Sequence, residues 1–313
     1  RHFAAERPSL VAACRAEGSV VGVIPLYLWS SRPLRVGRFI GHGPADELGP
    51  LCPAAYRGPV SRALTRLVAD WRLDVFLGET VSCAHEWSTL LQAKRLRREA
   101  SPILPLDHGS WESFLASRTP NLRQQIQRRE RNLRRQHGVG YRLADDAARL
   151  PRDLDTLFAL HSARWRGTHT PFLRWEAFHR DFAAVALERG WLRLWFLEVD
   201  EQPVAAWYGF RFAGIESYYQ SGRDPAWDRS SVGFVLLAHS IREALADGIR
   251  EYRFLRGDES YKYRFAERDP GVETIALWRG MPGRLAVTAA NLALNSRRFG
   301  PLLARFARSF TSR

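Results

Sequence analysis

Lysine is nearly missing from this chain. Of its 47 basic residues only Lys94 and Lys262 are lysines, and the other 45 are arginines. The two cations differ in kind: Arg is a planar, permanently charged fork, whereas Lys is a compact point charge that burial can tune. Lys262, inside "FLRGDESYKYRF" (254–265), is therefore either a remnant of composition or a position that requires a point charge. Cysteine is scarce too. The three present, Cys14, Cys52 and Cys83, are odd in number and lack CxxC spacing, which argues for a reducing compartment and against a disulfide framework or a zinc site. The nine histidines are scattered without ligand spacing, so no metal is expected. No run approaches the roughly 18 apolar residues that span a bilayer. Acids number 33, leaving a net charge of +14. Such a charge predicts attraction to an anionic partner: nucleic acid, lipid headgroups, an acidic saccharide or a phosphorylated cofactor. The sequence does not begin with Met, and "RHFAAERPSL" lacks the pattern of a signal peptide. A natural start upstream is expected.

At 313 residues the length suits roughly two domains. Residues 9–29 read as two strands around Ala16-Glu17-Gly18-Ser19, with Pro25 marking the second as an edge or bulged strand. "GHGPADELGPLCP" (41–53) is a loop, 59–70 a helix with Val60, Leu64, Leu67 and Val68 on one face, and "LDVFLGE" a short strand. Then the texture changes. "SRTPNLRQQIQRRERNLRRQHG" has Thr119 as N-cap, Pro120 at the first helical position and Gly138 as stop. Seven arginines and a single acid, Glu130, lie between Arg118 and Arg135, with a thin apolar stripe of Leu122, Ile126 and Leu133. This helix is either a solvated face or a docking surface for phosphates. Residues 153–189 are helical by pattern. "WLRLWFLEVDEQPVAAWYGFRFAGIESYYQSG" is a three-strand antiparallel meander, its aromatics mostly in the core. The loop "RDPAWDRSS", the helix "VGFVLLAHSIREALADG", the strand "REYRFL" and a short helix follow.

Ser230 and Ser231 are N-cap candidates for that helix, and its first turn, with Val232 and Gly233, offers N–H groups to a phosphate. The order of elements, together with "LHSARW", "VAAWYGFRF", the Ser-Ser-Val-Gly helix start and "REALADGIREYRFLRGDESYKYRF", resembles the GNAT (Gcn5-related) acyltransferases over residues 111–266. The resemblance points to the BioF2-like or CelD-type branch, akin to the Fem aminoacyl transferases. It implies an α+β fold of two tandem GNAT-like lobes with mixed, mostly antiparallel sheets. The expected division is a degenerate N-terminal lobe at 1–107, a basic helical connector at 108–140, a catalytic lobe at 141–270 and a basic helical tail at 271–313. In that tail, Leu302, Leu303, Phe306 and Phe310 oppose Arg305 and Arg308, compatible with an anionic membrane surface. One departure from the family pattern stands out. After Arg229 the pyrophosphate signature would place glycine earlier than Gly233, and Val235 occupies a position that is usually small.

The resemblance implies acyl transfer from acyl-CoA to an amine or hydroxyl of a saccharide or cell-envelope precursor, in exopolysaccharide or cellulose production. The location would be cytoplasmic, with membrane association as an option. Arg229, Ser230, Ser231, Val232 and Gly233 would hold the cofactor. By the same resemblance Lys262 would stabilise the oxyanion that forms on the reacting carbonyl. Acid and base candidates are Asp258, Glu259, Tyr261 and Tyr219, with Tyr208 beside them; Asp258 and Lys262 could equally form an i,i+4 surface pair. Two other readings stay open: an aminoacyl-tRNA-dependent transferase of Fem type, and a catalytically silent GNAT-fold scaffold.

Overall fold

The computed structural model describes His2 and residues 7–165 and 170–295. In chain order the elements are β1 (Ser9–Ala16), β2 (Ser19–Ser30), β3 (Val36–Phe39), α1 (Arg57–Asp70), β4 (Val75–Ser82), α2 (Trp87–Leu90), β5 (Lys94–Glu99) and β6 (Ile103–Pro105). Next come α3 (Trp111–Ser117), α4 (Pro120–Gln136), β7 (Val139–Leu143), α5 (Leu150–Arg164), α6 (Pro171–Arg174) and α7 (Glu176–Glu188). The last are β8 (Leu192–Val199), β9 (Gln202–Phe212), β10 (Ile215–Arg223), α8 (Val232–Ala246), β11 (Glu251–Arg253), β12 (Val272–Trp278) and α9 (Gly280–Asn295). They form two compact units, one of residues 1–100 with 270–313 and one of residues 101–269.

Each unit holds a six-stranded mixed sheet, in the order β1-β2-β3-β4-β12-β5 and β6-β11-β10-β9-β8-β7. Both contain an antiparallel run, then a helix, then a strand parallel to the one before the helix. A single antiparallel strand flanks that parallel strand, and the chain supplies it crosswise. β6 follows the first unit but pairs with β11, and β12 follows the second but pairs with β4. The division expected from sequence is corrected by this exchange. The segment 272–278 is a sheet strand, not part of a helical tail, and β6 leaves the N-terminal lobe. Nor is the basic helix a connector: Leu122, Ile126 and Leu133 of α4 lie in the same core as Ile241 and Leu245 of α8. Its cap is as expected, with the Thr119 hydroxyl accepting from Leu122 N. Pro25 sits in an interior strand. A proline there forfeits only its N–H, and its carbonyl still accepts from Ile40 N. The residues Leu302, Leu303, Arg305, Phe306, Arg308 and Phe310 lie outside the described residues.

The second unit has two apolar cores. One lies with α3, α4 and α8, and the other with α5 and α7. The latter encloses His179, 2% exposed, among Phe172, Phe178, Tyr208 and Tyr219, and neither ring nitrogen has a hydrogen-bond partner among the described residues. Burial lowers its pKa from 6.5 to about 4. The folded chain therefore keeps this imidazole neutral where the unfolded chain protonates it. Stability from this residue is complete above the unfolded value and is lost as pH falls from 6.5 toward 4. His179→Phe should match the aromatic surroundings and take about one proton, ~1.4 kcal/mol per pH unit, out of that slope. Chemical denaturation at pH 5 and pH 7 checks this; a slope equal to the wild type's would refute it.

Candidate functional site

The site begins with a ladder that stops early. β10 and β11 pair in parallel only at Ile215–Glu251, Glu216–Tyr252 and Ser217–Arg253. β10 runs on to Arg223, still held by β9 on its other side, with a bulge at Tyr219. Where β11 would have continued, Leu255 takes a left-handed conformation (φ 54°) and the chain turns away. The unpaired edge of β10 then lines a cleft of ≈380 Å³ together with α8, α4 and the segment around Tyr261. Tyr218, Ser221 and Gly222 come from β10, Ser231, Gly233 and Phe234 from the start of α8, and Tyr261 and Arg264 from the far wall. Gly222 is where α5 touches the strand: a Cβ would come within 2.3 Å of His161 N. That contact brings Arg164, at the end of α5, to the cleft, where it donates to the backbone carbonyl and hydroxyl of Ser221.

Four arginines line this cleft against one acid, Asp228. Asp228 accepts from Arg223 Nε at 2.6 Å. The other two basic walls behave differently. Arg129 of α4 and Arg264 both stack on the Phe234 ring, at 4.7 and 4.8 Å, and neither has a carboxylate partner among the described residues. Arg264 donates to Gln125 Oε1. Burial first, then Arg264 and Arg128, lowers the pKa of Arg129, and burial lowers that of Arg264. Two half-buried like charges, held by one aromatic ring beside the first turn of a helix, make this wall electropositive.

A chain of hydroxyls occupies the opposite wall. Tyr261 donates to Tyr218 OH at 3.4 Å, and Tyr218 OH lies 2.6 Å from Ser221 Oγ, which Arg164 also contacts. Burial and the neighbouring Tyr218 raise the pKa of Tyr261, so it stays a protonated O–H donor. Lys262 sits next to it but does not line the cleft. Buried at 3% exposure, its Nζ donates to the Arg256 carbonyl at 2.8 Å and pairs with Glu259 at 2.9 Å. Gly257 (φ +126°) makes the turn possible, because a Cβ there would lie 2.3 Å from the Glu259 carboxylate. The partner of Lys262 is thus Glu259, at i,i+3 on a 3-10 turn (Lys262–Arg264), rather than Asp258, which is exposed. Burial alone would raise the Glu259 pKa, but the bond and charge of Lys262 hold it below the ordinary value.

Other expected positions distribute unevenly. Ser231 and Gly233 line the cleft, whereas Arg229, Ser230 and Val232 are not among its lining residues; Arg229 is exposed and Val232 is fully buried. Ser231 occupies the N-cap position without a side-chain cap bond. It is left-handed (φ 55°, ψ 40°) because a 3-10 turn, Pro225–Ser230, runs straight into the helix, and its carbonyl instead accepts from Phe234 N and Val235 N. Tyr219, at the bulge, packs with Phe172, His179 and Tyr208 in the core on the α5 and α7 side, and Tyr208 is buried there with its hydroxyl unpartnered. Sequence reasoning passed over Arg129, Arg264 and Ser221, read Phe234 as part of the apolar face of its helix, and named Tyr218 only among the meander aromatics that could stack on a sugar or base. The available signals were an aromatic residue on the first turn of α8 and an arginine two places after Lys262.

Inorganic pyrophosphate should therefore raise the melting temperature of the protein, and the paired Arg129→Gln/Arg264→Gln variant should lose that rise. Without ligand, the variant should melt within a few degrees of wild type, because relief of repulsion offsets lost stacking of about 0.5–1 kcal/mol per cation. A rise that survives in the variant places the anion elsewhere.

Residues 120–263 match the family model described as an acetyltransferase (GNAT) domain. A comparison with curated proteins finds no match. Among solved structures, FemX is similar over 91% of this chain and 90% of its own, with a TM-score of 0.63 at 10% identity. L-PGS from Bacillus licheniformis is similar over 93% and 90%, with a TM-score of 0.56 at 12% identity. A conserved protein of unknown function from Bacteroides thetaiotaomicron is similar over 82% and 84%, with a TM-score of 0.54 at 14% identity. At these identities the likeness is one of fold. The chain thus has the GNAT fold, and the match to the acetyltransferase (GNAT) domain model is confined to residues 120–263.

Proposed function

We propose that the second unit transfers an acyl group from acyl-CoA to an amine or hydroxyl, with a saccharide or cell-envelope precursor as acceptor class. The observation that carries this reading is the cleft along the unpaired edge of β10, where the carbonyl of an extended donor can lie against a free strand. Arg129 and Arg264 on Phe234, beside Ser231 and Gly233, fit the donor's diphosphate. Attack by the acceptor forms the new C–N or C–O bond, and collapse breaks the C–S bond and releases a thiolate. Tyr261, kept protonated, supplies a proton to that sulfur, and the Tyr218–Ser221 chain re-orients the phenol. In this reading Glu259, ionised beside Lys262 and half-exposed but not among the cleft-lining residues, takes the acceptor's proton through a bridging water. Lys262 acts in this reading by position: it fastens the 256–262 turn that carries Tyr261 and Glu259, instead of facing the oxyanion.

A second reading rests on α4. Arg128, Arg131 and Arg135 are exposed on it with no carboxylate partner among the described residues, which suits an RNA backbone and hence an aminoacyl-tRNA donor of Fem type. Thermal unfolding with CoA, acetyl-CoA, a long-chain acyl-CoA and bulk tRNA at two salt concentrations separates the two. A CoA species at 100 times its Kd should add about 2.7 kcal/mol at both salts. Stabilisation by tRNA that collapses with salt, without any CoA shift, would instead favour the second. With a donor in hand, Tyr261→Phe should lower kcat by about 10²–10⁴ while leaving donor affinity unchanged; unchanged kcat would remove Tyr261 from the chemistry.

A further inference from the structure

The last described element of the first unit is a helix that is apolar on both sides. α9 docks through Ala286 and Val287, which pack with Val75, Leu96 and Ala276 of the sheet. On the opposite face Met281, Leu285 and Leu292 are 62%, 63% and 63% exposed. Their spacing of four and seven residues puts them on one stripe within about 40° of arc at 3.6 residues per turn. Trp278, at the end of β12, is exposed just before the helix, Arg284 flanks the stripe, and Arg279, exposed at the helix start, donates to the Ala69 carbonyl. From Thr274 to Arg313 the sequence has seven arginines and no Asp, Glu or Lys.

We propose that this face of α9 seats on an anionic lipid bilayer surface, lying in the headgroup boundary with Met281, Leu285 and Leu292 inserted and the arginines against lipid phosphates. Two features together select this partner. An apolar stripe bordered by cations, with a tryptophan at its edge, matches the polarity profile of the interface, and forty residues without an acid match the negative surface potential of an anionic leaflet. A second copy of this chain fits poorly, because a self-complementary contact would bring Arg279 and Arg284 toward their own counterparts. Three side chains also supply far less area than the roughly 1,200 Å² of a stable dimer. The surface belongs to the first unit, so its test does not depend on the donor of the second. Among the described residues no helix is long and apolar enough to cross a membrane, so the mode is peripheral.

The test is sedimentation of the full chain with vesicles of phosphatidylcholine alone and with roughly 30% phosphatidylglycerol. Wild type should bind the anionic vesicles and bind the neutral ones weakly. Leu285→Glu with Leu292→Glu should weaken binding to anionic vesicles by about tenfold or more, since each places a charge at the boundary. Arg284→Gln should cost several-fold at low salt and little at high salt. The substituted leucines are exposed, so melting temperature should hold. Binding unchanged in the double-Glu variant would reduce the attraction to net charge and overturn the proposal. Absence of wild-type binding would overturn it too, as would a dimer in light scattering that the double-Glu variant dissolves, which would assign the stripe to a second copy.

Discussion

Three residue pairs of parallel ladder hold β10 to β11, and the site exists because the ladder ends there. Had β11 continued alongside Tyr218–Arg223, the N–H and C=O groups of that edge would be satisfied within the sheet, and no extended ligand could reach them. The separation is enforced locally. Leu255 in a left-handed conformation and Gly257 at φ +126° turn the chain away, and the pair between buried Lys262 and half-exposed Glu259 holds the turn once made. The strained backbone and the buried ammonium are costs accepted in one loop, and the open strand edge is what they produce.

The first unit shows the same arrangement with the opening closed. Its β3 and β4 also pair in parallel over three residues, Val36–Arg38 with Val75–Leu77. Beyond that point the loop 41–53 enters: Leu48 N donates to Thr80 O, and Leu51 exchanges hydrogen bonds with Val23. In the first unit the chain's own loop thus bonds β4 and β2 just beyond the end of the parallel ladder. Arg38, buried against Trp29, pairs with Glu79 and contacts His42, whereas Arg129 and Arg264 of the second unit have no carboxylate partner among the described residues. One topology thus yields a filled, self-neutralised half and an open, positively charged half. The proposed diphosphate site accordingly lies in the second.

The alternation of helices and strands was legible because each rests on local signals. Thr119-Pro120 opened α4, Gly190 and Gly248 closed α7 and α8, and the aromatic meander separated at Asp200-Glu201 and Ala213-Gly214. The crosswise supply of β6 and β12 was not legible, since both are short apolar runs whose partner strand is chosen by tertiary packing and not by their own residues. The site was legible as a neighbourhood and not as a list. Tyr261 and Gly233 reach the cleft, but Tyr219 does not. Two adjacent tyrosines on a strand face opposite sides, and only the packing reveals that Tyr218 takes the cleft side. Phe234 shows the same limit from the other direction: its place on the apolar side of α8 reads as core, and its ring becomes a platform because two arginines from distant segments converge on it.

The scarcity of lysine has a physical explanation at both positions. Lys94 is exposed on β5, the edge strand of its sheet, where a flexible, strongly hydrated charge discourages pairing with another chain. Lys262 is the reverse case, a cation almost fully buried. Its ammonium must reach the Arg256 carbonyl and the Glu259 carboxylate inside a turn so tight that a single Cβ at Gly257 would approach Nζ to 2.8 Å. A planar guanidinium is too wide for that space, and its fork geometry does not match two acceptors held on one turn. Arg129 and Arg264 have the opposite requirement: a flat cation that can lie on Phe234 and still present N–H groups to the cleft. Cation shape, more than charge, thus divides the labour here, with the point charge fastening the loop and the flat cations facing the cleft.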